Sequence, residues 1–330
     1  MRISFSKSVT ESLLAKIRSG EMMSRNEKFN LIIQLSIPSI LAQVTTVLMF
    51  YIDAGMVGSL GAEPSAAIGL VEPATWLFFS LVSAVTMGFS VQVAHFIGAN
   101  DFAKARAVMR HGYIFGLCFA LFLLLITFLI GYRLPVWLGG GADIQHDATV
   151  YFLIFSLIIP FHLIEYMSAA MLKVSGDMRR PSFMAILMCV LDVIFNYFFI
   201  FPTRTVSLFG VEVTMPGLGE GVAGAALGSL LSFVCVALPL AYYAIFRSPI
   251  LAWKQDVERF VWRWQYIWNA MKIGAPMALQ YLLMNGAQLV STMIVAPLGN
   301  IAIAAHSFAI TAESLCYMPG HGISEAATTL

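Results

Sequence analysis

Two side chains that carry oxygen stand one helical turn apart in an otherwise apolar stretch of the sequence. Asp192 and Asn196 are four residues apart, so on a helix they share one face. A carboxylate beside a carboxamide can coordinate a small hard cation through oxygen, or it can hold a proton. The alternative is a hydrogen-bonded contact between two helices, which stabilises their association by about 0.6 kcal/mol. The spacing leaves both interpretations open.

Two further carboxylates interrupt apolar stretches. Asp53 follows Pro38 by fifteen residues and could face the same cavity from a neighbouring helix, or it could be an interfacial carboxylate that only reaches water. Glu72 precedes Pro73, a pairing that can mark an irregular helix exposed to a water-filled cavity. Ionisable groups in such surroundings are costly, so each one is a candidate for function.

Three more polar residues are weaker candidates. His162 and Glu165 are three residues apart and could bind a cation, but such a pair also neutralises itself, and no further metal ligands are evident. Gln43 is interpreted as a hydrogen-bonding contact between helices, with a secondary role in substrate binding as the alternative.

Composition sets the class of protein. Of the 330 residues, 59% are hydrophobic and only 11% are charged, whereas a soluble domain has about 25% charged residues. Lys and Arg (19) balance Asp and Glu (18), so no basic field is available to bind nucleic acid. The four cysteines have no metal-binding spacing, and no catalytic or nucleotide-binding motif is evident. The sequence therefore predicts an all-α polytopic membrane protein that is neither an enzyme nor dependent on a cofactor.

Apolar stretches long enough to cross a bilayer, about 20 residues, predict eight membrane-spanning helices. They are 29–52, 73–100, 107–132, 148–171, 181–203, 221–246, and two crossings within 273–312 divided by the turn at 297–300. All of the 19 Lys and Arg residues except Arg133 and Arg204 fall on one side of this arrangement. Cytoplasmic loops collect these residues, so the N-terminus is predicted to be cytoplasmic.

Four regions follow from these spans. Residues 1–28 form a cytoplasmic segment, 29–246 a lobe of six helices, 247–267 a cytoplasmic linker, and 268–330 an incomplete second lobe of two helices. Residues 253–268 alternate charged residues with Trp and Tyr, a pattern that predicts an amphipathic helix on the inner membrane face.

An internal repeat supports the division into two lobes. A shift of 238 residues aligns Pro38 with Pro276 and Leu60-Gly61 with Leu298-Gly299. Two helices therefore recur after six, in the same orientation, as in transporters built from two lobes. We expect four more helices in a complete second lobe, so the chain is predicted to be truncated.

Several segments resemble the multidrug and toxic compound extrusion (MATE) family of transporters, and the last is similar to its DinF-like branch. They are LSIPSILAQVTTVLMFYIDAGMVGSLGAEPSAAIGL (35–70), GDMRRP (176–181), DVIFNYFFIF (192–201), GVAGAALGSLLS (221–232) and PLGNIAIAAHSFAITAESLCYMPGHGIS (297–324). The resemblance implies two six-helix lobes around a cleft that opens alternately to either side. It also implies export of cationic and amphipathic compounds in exchange for protons or sodium.

The resemblance assigns roles to particular residues. It places the family's helix-1 aspartate at Asp53, and its helix-5 asparagine and aspartate at Asp192 and Asn196, with the two residue types exchanged. The acidic residue that one branch carries near Met284 is missing here, so the coupling site is expected in the first lobe. Glu313, in the branch motif, is a secondary candidate.

The expected function is therefore a cation-coupled antiporter, active as a monomer in the inner or plasma membrane, that exports small cationic or amphipathic compounds. Asp53 and Asp192 would bind the coupling proton or sodium ion, and Asn196 would orient them. Two alternatives remain open: a flippase for a lipid-linked precursor, and a non-functional fragment of a transporter. An intramembrane enzyme that uses Asp53 and Asp192 as an acid pair is the least favoured.

Overall fold

The computed structural model describes residues 16, 22–208, 211–255 and 260–329. These residues form α-helices joined by short connections, with one β-hairpin. In chain order the helices are α1 (Arg25–Gly58), α2 (Ala62–Gly98), α3 (Phe102–Gly131), α4 (Leu134–Trp137), α5 (Gln145–Ser156), α6 (Ile158–Val174), α7 (Arg179–Ile200), α8 (Gly221–Tyr242), α9 (Trp264–Val295) and α10 (Asn300–Thr329). The strands β1 (Pro202–Leu208) and β2 (Val211–Leu218) lie between α7 and α8.

Local sequence signals mark the helix starts. Ser24 and Glu27 form a capping box at α1, in which the Ser24 hydroxyl accepts the Glu27 N–H and the Glu27 carboxylate accepts the Ser24 N–H. Asp101 caps α3 by accepting the backbone N–H of Lys104 at 3.1 Å. The α2 helix runs through Pro73 without a break, so the irregularity expected beside Glu72 is wrong.

The helices coincide with the predicted spans. By length and composition, five described helices can cross a membrane, and six if the bent pair α5–α6 is one span. The first and eighth predicted spans lie in α1 and α10, which have 34 and 30 residues but are not among these candidates, so the number of eight crossings stays a prediction. Some side chains in these two helices lie outside the described part of the chain. The prediction of an all-α polytopic membrane protein is confirmed.

The fourth predicted span is bent rather than straight. Its two halves, α5 and α6, meet at Leu157 with an angle of 41°. Pro160 follows the bend by three residues and cannot donate a hydrogen bond to the carbonyl of Ser156. The missing bond at this step of the helix accounts for the kink.

The β-hairpin was not predicted from the sequence. Strands β1 and β2 pair antiparallel from Pro202 opposite Leu218 to Leu208 opposite Val211. The segment alternates β-branched and polar residues on either side of positions 209–210, which are outside the described part. The hairpin connects the ends of α7 and α8 and so keeps these two helices adjacent.

Helix α2 lies at the centre of the molecule and packs against α3, α5, α6, α9 and α10. Helix α7 packs between α1 and α8, and α1 also packs along α10. Helices α9 and α10, from the second predicted lobe, therefore contact α2 and α1 of the first directly.

The crossing of α2 and α9 brings two backbones together. A Cβ atom added at Gly88 of α2 would collide with the carbonyl of Ala270, and one added at Gly274 of α9 would lie 2.9 Å from the carbonyl of Ala84. Glycine is required at both positions because any side chain would separate the helices. This crossing joins the first six spans to the last two.

The predicted amphipathic helix over 253–268 is wrong for residues 253–255 and 260–263, and residues 264–268 instead form the first turn of a long helix. Trp253–Gln255 form one 3₁₀ turn, residues 260–263 are irregular, and α9 begins at Trp264; residues 256–259 are not described. Side chains of α3 hold this linker instead. Arg106 donates to the carbonyl of Ile250 at 3.1 Å, and Arg110 donates to that of Trp253 at 3.0 Å. The linker backbone therefore bonds to α3 rather than to its own helical turns.

Candidate functional site

One amide joins two carboxylates inside the helix bundle. The Nδ2 group of Asn196 lies 2.9 Å from Asp53 Oδ1 and 2.9 Å from Asp192 Oδ2, and it has one hydrogen for each. Asp53 comes from α1, while Asp192 and Asn196 share the face of α7 that their spacing predicted. Asp192 and Asn196 are each 1% exposed. We call Asp53, Asp192 and Asn196 the carboxylate–amide cluster.

A hydroxyl from α8 completes the shell around Asp192. Ser232 Oγ lies 3.1 Å from Asp192 Oδ1 and 2.8 Å from the carbonyl of Ser229, so it shares one proton between the two acceptors. Each Asp192 oxygen therefore has a donor, which buried charged oxygens require. The Tyr151 ring of α5 and Glu72 of α2 are close enough to interact electrostatically with the cluster.

Small residues of α8 make room for this arrangement. Gly224, Gly228 and Ser232 recur every four residues and face Phe199, Asn196 and Asp192 of the antiparallel helix α7. A Cβ atom at Gly228 would collide with Asn196 Oδ1, and one at Gly224 would lie 2.5 Å from the Phe199 carbonyl. This Gly-xxx-Gly pair is therefore a close-packing contact between α7 and α8.

Glu72 connects the first six spans to α10. Its Oε2 atom accepts a hydrogen bond from Ser307 Oγ at 2.9 Å, and its Oε1 atom lies 3.5 Å from Trp76 Nε1. Gly69 stands one turn before Glu72, and a Cβ atom there would lie 2.7 Å from Ser307 Cβ. Glu72 is therefore a contact between the two predicted lobes, adjacent to the carboxylate–amide cluster.

The remaining predicted residues lie elsewhere. Gln43 precedes Asp53 by ten residues on α1, or ~15 Å along the helix. His162 stacks on Phe79 with ring centroids 4.4 Å apart, and Glu165 follows it, half-buried, on α6. Glu313 is exposed on α10. The contacts described above do not bring these four side chains into the cluster.

The chemistry of the cluster is that of a cation or proton acceptor. Its polar atoms are carboxylate, amide and hydroxyl oxygens, which suit a hard cation, and amide and hydroxyl donors, which suit carboxylates. No group of three or more His, Cys, Asp or Glu residues with metal-binding geometry occurs in the described part of the chain. The third residue of the cluster, Asn196, carries an amide and is not one of these four residue types. Its Oδ1 atom has no hydrogen-bond partner among the described residues.

Sequence reasoning missed three residues: Ser232 and Tyr151, which lie beside the cluster, and Ser307, which donates a hydrogen bond to Glu72. None of them is charged in its usual state, so none was conspicuous in an apolar stretch. One signal was available for Ser232, because it continues the four-residue spacing of Gly224 and Gly228. Tyr151 and Ser307 carry no comparable signal, since their position depends on how α5 and α10 pack.

A bundle of apolar helices around a buried carboxylate–amide cluster defines a polytopic membrane protein of the transporter type. The sequence model of the MatE family matches residues 38–198 and 276–330. The chain belongs to this family, and the predicted resemblance is confirmed. The two matched segments begin at Pro38 and Pro276, the pair that the 238-residue repeat aligns.

Curated relatives carry transporter names. The chain is 26% identical over 300 residues to a probable multidrug resistance protein NorM of Thermotoga maritima, covering 91% of this chain and 61% of that protein. It is 31% identical over 305 residues to a protein of the same name from Pseudomonas aeruginosa, and this match covers 90% of this chain and 58% of that protein. The chain thus spans about three-fifths of the length of these relatives. Its placement in the DinF-like branch stays a prediction.

Solved structures share the fold. An outward-facing multidrug resistance MATE family transporter of the MOP superfamily superposes with a TM-score of 0.78 at 22% identity, covering 98% of this chain and 66% of that one. An inward-facing conformation of a multidrug resistance MATE family transporter superposes with a TM-score of 0.72 at 22% identity, and the match covers 97% of this chain and 64% of that one. The fold is thus that of a MATE transporter in either conformation.

Proposed function

We propose that this chain acts as a cation-coupled antiporter that exports drugs or other amphipathic organic compounds across the cell membrane. The observation that carries the proposal is the single Asn196 amide held between the carboxyl groups of Asp53 and Asp192. Relatives named as multidrug resistance proteins support the class of substrate.

The cluster connects ion binding to helix packing. Two carboxylates held by one amide in a medium of low dielectric repel each other unless a proton or a cation neutralises one of them. Asp53 lies on α1 and Asn196 on α7, so a change in charge alters the contact between these helices. Proton binding would then favour the conformation that releases the substrate outward.

The orientation of the Asn196 amide favours a proton as the coupling ion. Its NH₂ group donates to both carboxylates, so its oxygen is not directed at a cation that would lie between them. The oxygen instead faces Gly228, where there is no room for a side chain. An incoming proton needs no rotation of the amide and leaves at least one of its two hydrogen bonds in place.

Efflux of a cationic dye tests the proposal. Inverted membrane vesicles that contain the chain should accumulate ethidium when a pH gradient is imposed, and nigericin should abolish this accumulation. Asp53→Asn and Asp192→Asn should each lower the rate at least tenfold, because each removes one exchangeable charge. Glu63→Gln changes an exposed carboxyl at the start of α2 and should keep the normal rate.

Two outcomes would contradict the proposal. Wild-type rates in both aspartate variants would exclude the cluster from coupling. Accumulation that follows an imposed sodium gradient and not the pH gradient would replace the proton by sodium. Ethidium binding to the purified variants, followed by fluorescence anisotropy, separates loss of coupling from loss of the substrate site.

We also propose that the protein is a monomer in the plasma or inner membrane, with its N-terminus in the cytoplasm. The unequal distribution of Lys and Arg supports this orientation. The substrate would be a small organic cation or amphipathic compound, and no cofactor beyond the coupling ion is required.

A further inference from the structure

A groove of about 380 Å³ lies between the first turns of α7 and the last turn of α8, outside the carboxylate–amide cluster. Its floor is apolar and consists of Phe183, Met184, Pro239 and Leu240. Phe183 is 65% exposed, and Pro239 is also exposed, so the floor opens to the outside of the bundle. In a membrane protein, an exposed apolar surface of this kind faces lipid.

Two arginines stand at the mouth of this groove. Arg180 lies over the ring of Tyr243, 4.1 Å from its centroid, and also forms an ion pair with Asp177. The ring contact orients the guanidinium, and the partly exposed ion pair with Asp177 offsets part of its charge. Arg179 is exposed and forms no ion pair with any residue that the structure describes. The mouth of the groove thus carries one uncompensated positive charge.

The mouth lies at the depth of lipid headgroups. Arg179 and Arg180 begin α7, a 22-residue helix that is long and apolar enough to cross a membrane. Its length of ~33 Å corresponds to a bilayer core that is ~30 Å thick, so its first turn lies at one edge of that core. The groove is therefore at the boundary where apolar helix meets water, on the side that the Lys and Arg distribution assigns to the cytoplasm.

The end of α8 gives the groove its shape. Pro239 has no N–H to donate to the carbonyl of Cys235, and residues Tyr243–Arg247 continue the helix as a π-helical turn. A π-helical turn widens the helix and is found frequently at functional sites. Here the turn begins with Tyr243, the residue on which Arg180 stacks.

We propose that this groove binds an anionic phospholipid, with its phosphate at Arg179 and Arg180 and one acyl chain along the apolar floor. Guanidinium groups bind phosphate oxygens through paired hydrogen bonds, and Arg180 is already oriented by Tyr243. The uncompensated charge of Arg179 favours an anionic headgroup over a zwitterionic one, whose cationic group it would repel. This site is independent of the transport function proposed above.

Lipid titration of the purified chain in detergent tests the site. Binding of dioleoyl phosphatidylglycerol should raise the thermal midpoint, whereas dioleoyl phosphatidylcholine should have a much smaller effect. Arg179→Gln should weaken phosphatidylglycerol binding about fivefold, which is the effect that one basic residue near an anionic lipid surface contributes. Arg179→Lys should recover most of the affinity. Arg133→Gln, an exposed arginine at the opposite side, should bind as the wild type does.

Thermal midpoints without added lipid must agree between the wild type and Arg179→Gln, which shows that the variant folds. Equal phosphatidylglycerol affinity in these two proteins would overturn the proposal. Equal protection by inorganic phosphate or glycerol 3-phosphate would also overturn it, because the apolar floor would then contribute nothing. Native mass spectrometry makes the same comparison, because it counts the phosphatidylglycerol molecules that the wild type and Arg179→Gln retain.

Discussion

At the scale of single residues, the position of Asn196 depends on an atom that is missing from its neighbour. Gly228 has no Cβ, and the amide oxygen of Asn196 occupies that space. The amide nitrogen is thereby directed at Asp53 and Asp192. The two aspartates supply the charge, but Gly228 decides whether one amide can reach both.

Gly228→Ala should disturb the cluster far more than an ordinary glycine-to-alanine change in a helix. The added methyl group must displace Asn196 or separate α7 from α8, so we expect a loss of about 1–3 kcal/mol in stability and a strong loss of efflux. Thermal unfolding and dye efflux measure the two effects.

Gly286→Ala is the matched control, because nothing lies within 4 Å of a Cβ atom built at that helical glycine. Alanine there should be neutral or stabilising by up to about 1 kcal/mol. Equal effects of the two substitutions would mean that Gly228 does not position Asn196.

The charged members of the site could be predicted from sequence, and their partners could not. Asp192, Asn196 and Asp53 were conspicuous because ionisable groups in apolar stretches are expensive. Tyr151 and Ser307 became visible only in three dimensions, since tyrosine and serine are tolerated at many positions in a membrane helix. Glu165 shows the reverse case, a costly carboxylate that the structure leaves outside the cluster.

At the scale of helices and loops, the start of α3 depends on one charged cap. Asp101 accepts the backbone N–H of Lys104 and pairs with its ammonium at 2.7 Å, and these contacts lower the pKa of the Asp101 carboxyl. Asp101→Ala should reduce stability by about 1 kcal/mol at pH 7. Asp101→Asn keeps a capping oxygen, so it should lose less stability than Asp101→Ala.

The pH dependence follows from the direction of this shift. A lowered folded-state pKa means that the contribution is complete above the unfolded value, about 3.9, and is lost as the pH falls through the folded value. The difference in thermal midpoint between the wild type and Asp101→Asn should therefore shrink below pH 4. A constant difference between pH 7 and pH 3 would show that the charge of Asp101 is irrelevant.

The linker before α9 should loosen when its bond to α3 is removed. His111 Nε2 accepts the backbone N–H of Arg263 at 2.8 Å, while His111 Nδ1 lies 2.7 Å from the carbonyl of Ala107. His111→Phe keeps an aromatic ring beside Phe260 and Trp262 but removes the acceptor. We expect faster tryptic cleavage after Lys254 or Arg263, because the unpaired N–H costs about 1–3 kcal/mol.

Unchanged cleavage kinetics in His111→Phe would show that ring packing alone holds the linker. Phe128→Leu is a suitable control, since this exposed aromatic side chain lies further along the same helix and should not alter cleavage.

Helices were predicted correctly where the local sequence determines the secondary structure. Long apolar stretches predicted the order of the long helices and the approximate position of each, because the backbone has no other partner for its hydrogen bonds in lipid. The linker prediction failed because Arg106 and Arg110 compete for its carbonyl groups, and such distant partners leave no periodic pattern. The hairpin between α7 and α8 was missed because a segment of about twenty residues between two spans is equally compatible with a loop.

At the scale of the whole molecule, polar contacts join the two predicted lobes at several points. Asn285 of α9 donates to Ser80 of α2 at 3.1 Å, and Ser307 of α10 donates to Glu72 at 2.9 Å. Asn285 and Ser307 thus each link two helices. Any motion that opens a cleft between the lobes has to break such contacts, and Glu72 lies close to the carboxylate–amide cluster.

Cysteine labelling should establish which way the molecule lies in the membrane. We expect Arg204→Cys, in strand β1, to react with an impermeant maleimide in intact cells, because the Lys and Arg distribution places this end outside. Arg247→Cys, at the end of α8, should react only after the cells are permeabilised. Both variants are made with the four native cysteines replaced by serine. The opposite pattern would invert the proposed orientation.

The backbone contact between α2 and α9 has a mechanical consequence. Where Gly88 meets Ala270 and Gly274 meets Ala84, each glycine contacts backbone atoms, so no long side chain at these four positions must disengage when one helix turns over the other. If one helix rotates about this contact, the displacement of its residues is smallest at the contact and grows with distance from it. Small rotations here would therefore produce the largest excursions at the far ends of both helices.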